Sequence, residues 1–189
     1  MRTEILWSSP SLWNEAQEAF RLSLDRPTKR LDAARRQAAA IAHQFDLLSD
    51  WFDDLAVGTC RVCPDPCCRH AMVWLDFRDL LFIHLQGEFL PPQQLRRDRR
   101  EPCRYLGYRG CSLPRHSRPW ICTWYICPLQ RQALMREIPF GLLHITAAGV
   151  RIKARRAAME AAFLTALGFA PGEADTPPGD QAPSSVKGP

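Results

Sequence analysis

Residues 45–68 read FDLLSDWFDDLAVGTCRVCPDPCC, and within this stretch an amphipathic helix gives way to a cysteine cluster. Upstream, Leu31, Ala34, Ala38, Ile41, Phe45, Leu48, Phe52 and Leu55 recur every three or four residues, as one helical face requires. Lys29, Arg30, Arg35, Arg36, Asp46 and Asp50 lie largely off that stripe. The pattern predicts a helix over residues 28–57, with Gly58 placed to end it, so the first thiols emerge directly from a helix end. An earlier helix follows from Trp13, Ala16, Phe20 and Leu24 after Pro10 and Ser11, closed by residues 25–27. Its aromatics are ordinary core packing.

Downstream, Arg69 to Leu75 reads as a short extended piece, with Met72, Val73, Trp74 and Leu75 offering strand propensity. Asp76 can cap a helix running from Phe77 to about Gln86, stopped by Gly87 and the Pro91-Pro92 pair. The next stretch is rich in turn formers and carries four more cysteines. Ile145, Val150, Ile152, Ala157, Ala161, Leu164 and Leu167 predict a terminal helix ending near Gly168, while 138–145 is ambiguous. From Ala170, five prolines, three glycines and two serines leave nothing to bury, which predicts a disordered tail. The expected fold is mainly α, with helices enclosing a loop-rich cysteine core and a small β content. Its organisation is an N-terminal helical segment (1–58), a cysteine region (59–136), a C-terminal helical segment (137–169) and the tail (170–189).

With 189 residues, 46% of them hydrophobic, the chain can bury a core without disulfides. The N-terminal residues hold no apolar run of signal-peptide length, and no stretch reaches the roughly 20 apolar residues of a membrane span. A cytoplasmic protein with no membrane partner is expected. In a reducing compartment clustered thiols hold metal more often than they crosslink the chain.

The eight thiols are Cys60, Cys63, Cys67, Cys68, Cys103, Cys111, Cys122 and Cys127. Thiolates are the soft ligands of zinc and of iron–sulfur clusters. Cys60-x2-Cys63-x3-Cys67 reverses the order used by radical S-adenosylmethionine enzymes. It also misses the bacterial ferredoxin run, and Cys122-x4-Cys127 is too wide for a standard zinc knuckle.

The later cysteines sit in distinctive surroundings: Pro102-Cys103-Arg104-Tyr105-Leu106, then Gly110-Cys111-Ser112-Leu113, then Arg118-Pro119-Trp120-Ile121-Cys122. With the Cys67-Cys68 pair before them, this order resembles the YkgJ-type cysteine-cluster family, a zinc- or iron-chelating domain. The resemblance covers about residues 60–127. Pro64 and a three-residue gap stand where family openings commonly have glycine and a two-residue gap, and Cys127 lies outside the motif. The resemblance implies an iron–sulfur cluster or zinc, but no reaction. A related cluster occurs in flagellin lysine N-methylases, which raises a methyltransferase-related accessory role. No Gly-rich loop follows a predicted strand here, so no cofactor cradle for such an enzyme is visible.

Side chains of adjacent residues diverge, so Cys67 and Cys68 seldom bind one metal atom. One arrangement places Cys60, Cys63, one of the pair and Cys122 around a 4Fe-4S cluster, with the other thiols structural; another splits all eight between two sites. The single site is preferred, and 4Fe-4S over zinc. His70 and His116 are secondary candidates through imidazole, whereas His43, His84 and His144 read as structural.

Residues 96–136 contain ten arginines against Asp98 and Glu101. Arg69, Arg104 and Arg118 are candidates to donate to cluster sulfur. The same arginines, interleaved with Tyr105, Tyr108, Trp120, Trp124 and Tyr125, offer a nucleic-acid alternative, while Arg96 to Arg100 reads as a solvated basic face. No catalytic constellation is visible; Asp53-Asp54 and Asp76/Asp79 read as exposed or capping carboxylates. Metal binding, with a redox or protein partner, is the expected role.

Overall fold

The computed structural model describes residues 5–25, 28–108, 110–138 and 140–169. The tail expected beyond Ala170 lies outside the described residues. The fold is mainly helical: α1 (Pro10–Leu24), α2 (Thr28–Thr59), α3 (Phe77–Gln86), α4 (Trp120–Trp124), α5 (Pro128–Glu137) and α6 (Gly141–Leu167). A two-residue antiparallel ladder pairs β1 (Leu106–Gly107) with β2 (Gly110–Cys111). Single 3-10 turns occupy Cys67–Arg69 and Arg115–Ser117.

The long helices form where the apolar stripes lie. Leu31, Ala34, Ala38 and Ile41 of α2 are wholly buried, and α2 packs chiefly along α6. At one end, these residues join Phe20 of α1, Leu80 and Ile83 of α3, and Ile152, Met159 and Phe163 of α6 in a large cluster. Each Leu, Ile, Phe or Met side chain so removed from water stabilises the fold by about 1.5–3 kcal/mol. A second cluster joins Leu48, Phe52 and Leu55 of α2 to Leu134 of α5 and Ile145 and Ala148 of α6. Cys103 and Trp120 pack against the first cluster, so the cysteine region rests on the helical core.

Local signals explain the ends. Asp76 and Asp79 form a reciprocal capping box at α3, and Gly87 closes it in the left-handed region (φ 66°). Two boundaries differ from expectation. α2 continues through Gly58 to Thr59, whose hydroxyl bonds the Leu55 carbonyl. Residues 72–75 form no strand, and at Leu75 the buried Gln94 side chain pairs with the backbone as a neighbouring strand would. Leu75 N–H donates to Gln94 Oε1 at 2.8 Å, and Gln94 Nε2 donates to the Leu75 carbonyl at 3.0 Å. The stretch read as loop also contains α4 and α5.

The residues read as a solvated basic face divide. Arg97, Arg99 and Arg100 are exposed, but Arg96 is only 1% exposed. Asp79 is likewise neither exposed nor merely a cap: it is buried against Arg156 at 2.7 Å.

Candidate metal centre

Separate chain segments deliver the thiols. The C-terminal end of α2 and the following turn carry Cys60 and Cys63, with the Val62 and Cys63 amides bonded back to Thr59 and Cys60. The 3-10 turn that begins at Cys67 places Cys67 and Cys68 side by side. The β1–β2 hairpin and α4 bring Cys103, Cys111 and Cys122. Ser112 N–H donates to the Tyr105 carbonyl at 2.8 Å, and Trp120 N–H donates to Asp79 Oδ1 at 2.9 Å, which ties the start of α4 to α3. All eight cysteines are free thiols; Cys67 is exposed and the others half-buried.

Burial pushes the Cys60 thiol up, and the charges of Cys67, Cys127 and Cys63 add to the rise. Burial pushes Cys122 up to about 12, with Cys111, Cys103 and Cys67 adding to the rise. Burial raises Cys103 too, with Cys111 beside it. Pairing with the Cys68 thiol holds Cys67 down to about 6, while the same pairing, then burial, push Cys68 well up.

Cys127, which lies outside the family motif, is drawn in by Gln130. Gln130 Nε2 stands 3.7 Å from Cys60 Sγ, while Oε1 accepts the Cys127 N–H at 3.3 Å. The Gln130 amide in turn donates to Cys127 Sγ at 3.4 Å, so Cys127 caps α5. At the hairpin end, Gly110 lies so close that a Cβ there would stand 3.5 Å from the Cβ of Cys60.

The Cys68 carbonyl accepts two donors: the Cys103 N–H at 3.0 Å and Arg96 Nη2 at 2.8 Å. Arg96 Nη1 donates to the Glu101 carbonyl, and the buried Nε–H finds no acceptor among the described residues. The arginine charge that reaches Cys103 is that of Arg96. Arg104 turns to Gln93 and Glu101, and Arg118 Nε donates to the Leu113 carbonyl at 2.9 Å. Nothing in the run of arginines from 96 to 100 marks which one is buried, so sequence reading missed it; Gln130 gave no signal either.

The rings of His116, His70, His84 and His144 are engaged by other groups, though the His70 amide stays on the Cys67 carbonyl at 3.0 Å. His116 lies between Glu88 (2.8 Å) and Asp46 (2.9 Å), and its ring faces Phe45 and Phe82. His70 pairs with Asp65 at 2.6 Å. His84 bonds Gln17 and stacks on Phe20, and His144 meets Trp51 edge-on.

A soft, all-sulfur donor set with a buried guanidinium beside it suits thiophilic metal, zinc or iron–sulfur. No three His, Cys, Asp or Glu side chains among the described residues stand at coordination spacing. No described helix is long and apolar enough to cross a membrane. No family model, no curated protein and no solved structure matches this chain.

Proposed function

We propose that this protein binds metal through its cysteine region, as the resemblance to the YkgJ-type cysteine-cluster family implies, holding an iron–sulfur cluster, with 4Fe-4S preferred, or zinc. One observation carries the reading: the cysteines are all free, and distant segments that carry them are tied together, Cys103 N–H to the Cys68 carbonyl at 3.0 Å and Cys60 to Cys127 through the Gln130 side chain. An iron–sulfur cluster would serve electron transfer or redox sensing with a partner; zinc would make the region a structural or interaction module.

Anaerobic purification followed by metal and acid-labile sulfide analysis tests this. A cluster gives charge-transfer absorption near about 400 nm, and zinc gives none. Folded protein with neither metal nor sulfide overturns the reading.

A second reading, nucleic-acid binding, draws on Tyr108, Trp124 and Tyr125, which are exposed in a region rich in arginine. Stacking on bases and phosphate contacts would make such binding steeply salt-dependent, so a gel shift at two salt concentrations decides it.

A further inference from the structure

We propose that a recess between α2, α4 and α6 is a binding site for a small aromatic carboxylate, with Arg115 as the residue that meets its charge. No cysteine lines this recess, and the site does not depend on metal binding. Phe45 and Phe52 of α2, Trp120 and Trp124 of α4, and Gly149 of α6 form its walls, and Arg115 joins them from the 3-10 turn before α4. The Arg115 guanidinium lies 5.0 Å over the Phe52 ring, and the Phe45 and Trp120 rings stack 6.2 Å apart. A flat apolar body therefore has aromatic faces to lie against.

The charge of the ligand follows from Arg115. Its side chain is only 8% exposed, and its buried Nε–H has no acceptor among the described residues. A buried guanidinium is costly unless an anion faces it. Nε and Nη2 form one edge of the guanidinium, the fork that takes both oxygens of a carboxylate. Asp53 occupies half of that edge, through Nη2 alone, and its own side chain is 58% exposed. The geometry makes Asp53 a loosely held stand-in that a ligand carboxylate replaces on the full edge. A doubly charged phosphate suits the recess less, because a single guanidinium among apolar walls leaves part of its charge desolvated.

Gly149 supplies the independent observation. It lies one helical turn from the buried Ile145 and Ile152, yet a Cβ there would meet no atom within 4 Å. Glycine inside a helix weakens it relative to alanine, so α6 keeps open space where alanine would both fit and strengthen the helix. About 10 Å³ of the recess admits a water-sized sphere, within an outline of about 260 Å³ that reaches solvent. The free protein thus holds the recess nearly shut. Trp124 is 42% exposed, so turning one surface side chain widens it without disturbing the core.

The test is titration of the full-length protein with benzoate, and with neutral benzamide as its control, followed by tryptophan fluorescence, with far-UV circular dichroism to verify folding. Wild type is expected to saturate with benzoate at millimolar concentration and not with benzamide. Arg115→Met, which releases the half-exposed Asp53 to solvent, should weaken benzoate binding at least about tenfold. Gly149→Leu fills the recess and should abolish binding. Asp53→Asn removes the competing carboxylate and should tighten binding by about two- to fivefold, the worth of an exposed ion pair. No saturation by benzoate in wild type or in Asp53→Asn overturns the proposal, and so does equal binding of benzamide. Full benzoate binding by folded Gly149→Leu would place the ligand outside the recess and overturn it too. Should Arg115→Met fail to fold, benzamide and Asp53→Asn still decide whether a carboxylate is recognised there.

Discussion

Arg156 of α6 donates to the Asp79 carboxylate of α3 at 2.7 Å, with both side chains buried beneath the cysteine region. Asp79 also accepts the Trp120 amide that starts α4, two residues before Cys122. The pair thus connects the helical scaffold to one thiol-bearing segment. Arg156 keeps a half-exposed partner in Asp76 at 3.1 Å, so Asp79→Ala is expected to cost less than the about 3–5 kcal/mol of a fully orphaned buried charge. Asp79→Asn, which keeps an acceptor for Trp120, should cost less. Chemical denaturation reads both.

The same carboxylate sets a pH dependence. Burial pushes Asp79 up from 3.8 to about 7, against the opposing pull of Arg156. A folded-state value above the unfolded one means that the native protein binds the proton more tightly. Its stabilising contribution is full below about 3.8 and is lost as pH rises through about 7. Between those values wild-type stability should fall relative to Asp79→Asn. Parallel slopes for the two proteins would contradict this.

Cys67 should be the reactive thiol of the metal-free protein. It is exposed and held down to about 6 by the Cys68 hydrogen bond, whereas burial holds Cys122 at about 12. Since the thiolate is the nucleophile, brief alkylation near neutral pH followed by mass spectrometry should label Cys67 first and Cys122 among the last. Early labelling of Cys122 would show the pair is not arranged as described.

Gln130 touches Cys60 through its side chain and caps α5 with Cys127. Gln130→Ala is expected to lower metal affinity about 10–100-fold in a chelator competition, the range for groups that orient ligands. The lost cap bond should cost about 1 kcal/mol. Unchanged retention would place Gln130 outside the centre's support.

Gly110 adopts φ 98°, a conformation that side chains rarely take, directly before Cys111 and beside Cys60. Gly110→Ala should therefore cost about 1–3 kcal/mol and displace the hairpin end that positions Cys111. Thermal unfolding and metal content should fall together.

The long helices were legible because each carries a continuous apolar stripe or paired start and stop signals, as at Asp76 and Gly87 of α3. α5 carries neither: Leu134 is its one buried residue, and its cap is a cysteine, a residue that sequence rules do not read as a cap. Residues 72–75 have strand-like composition, but pairing depends on a partner, and a single glutamine side chain from nineteen residues away takes that place. The candidate thiols could be named from spacing and surroundings. The contacts of Gln130 with Cys60 and of Arg96 with the Cys68 carbonyl could not, because they arise only through the tertiary fold.

The most direct test of the account is metal-edge X-ray absorption on anaerobically purified protein. The account expects metal in a sulfur-only first shell, at about 2.3 Å for zinc, with an added iron–iron distance if a cluster is present. A first shell dominated by oxygen or nitrogen, or folded protein with no metal above trace, would contradict it.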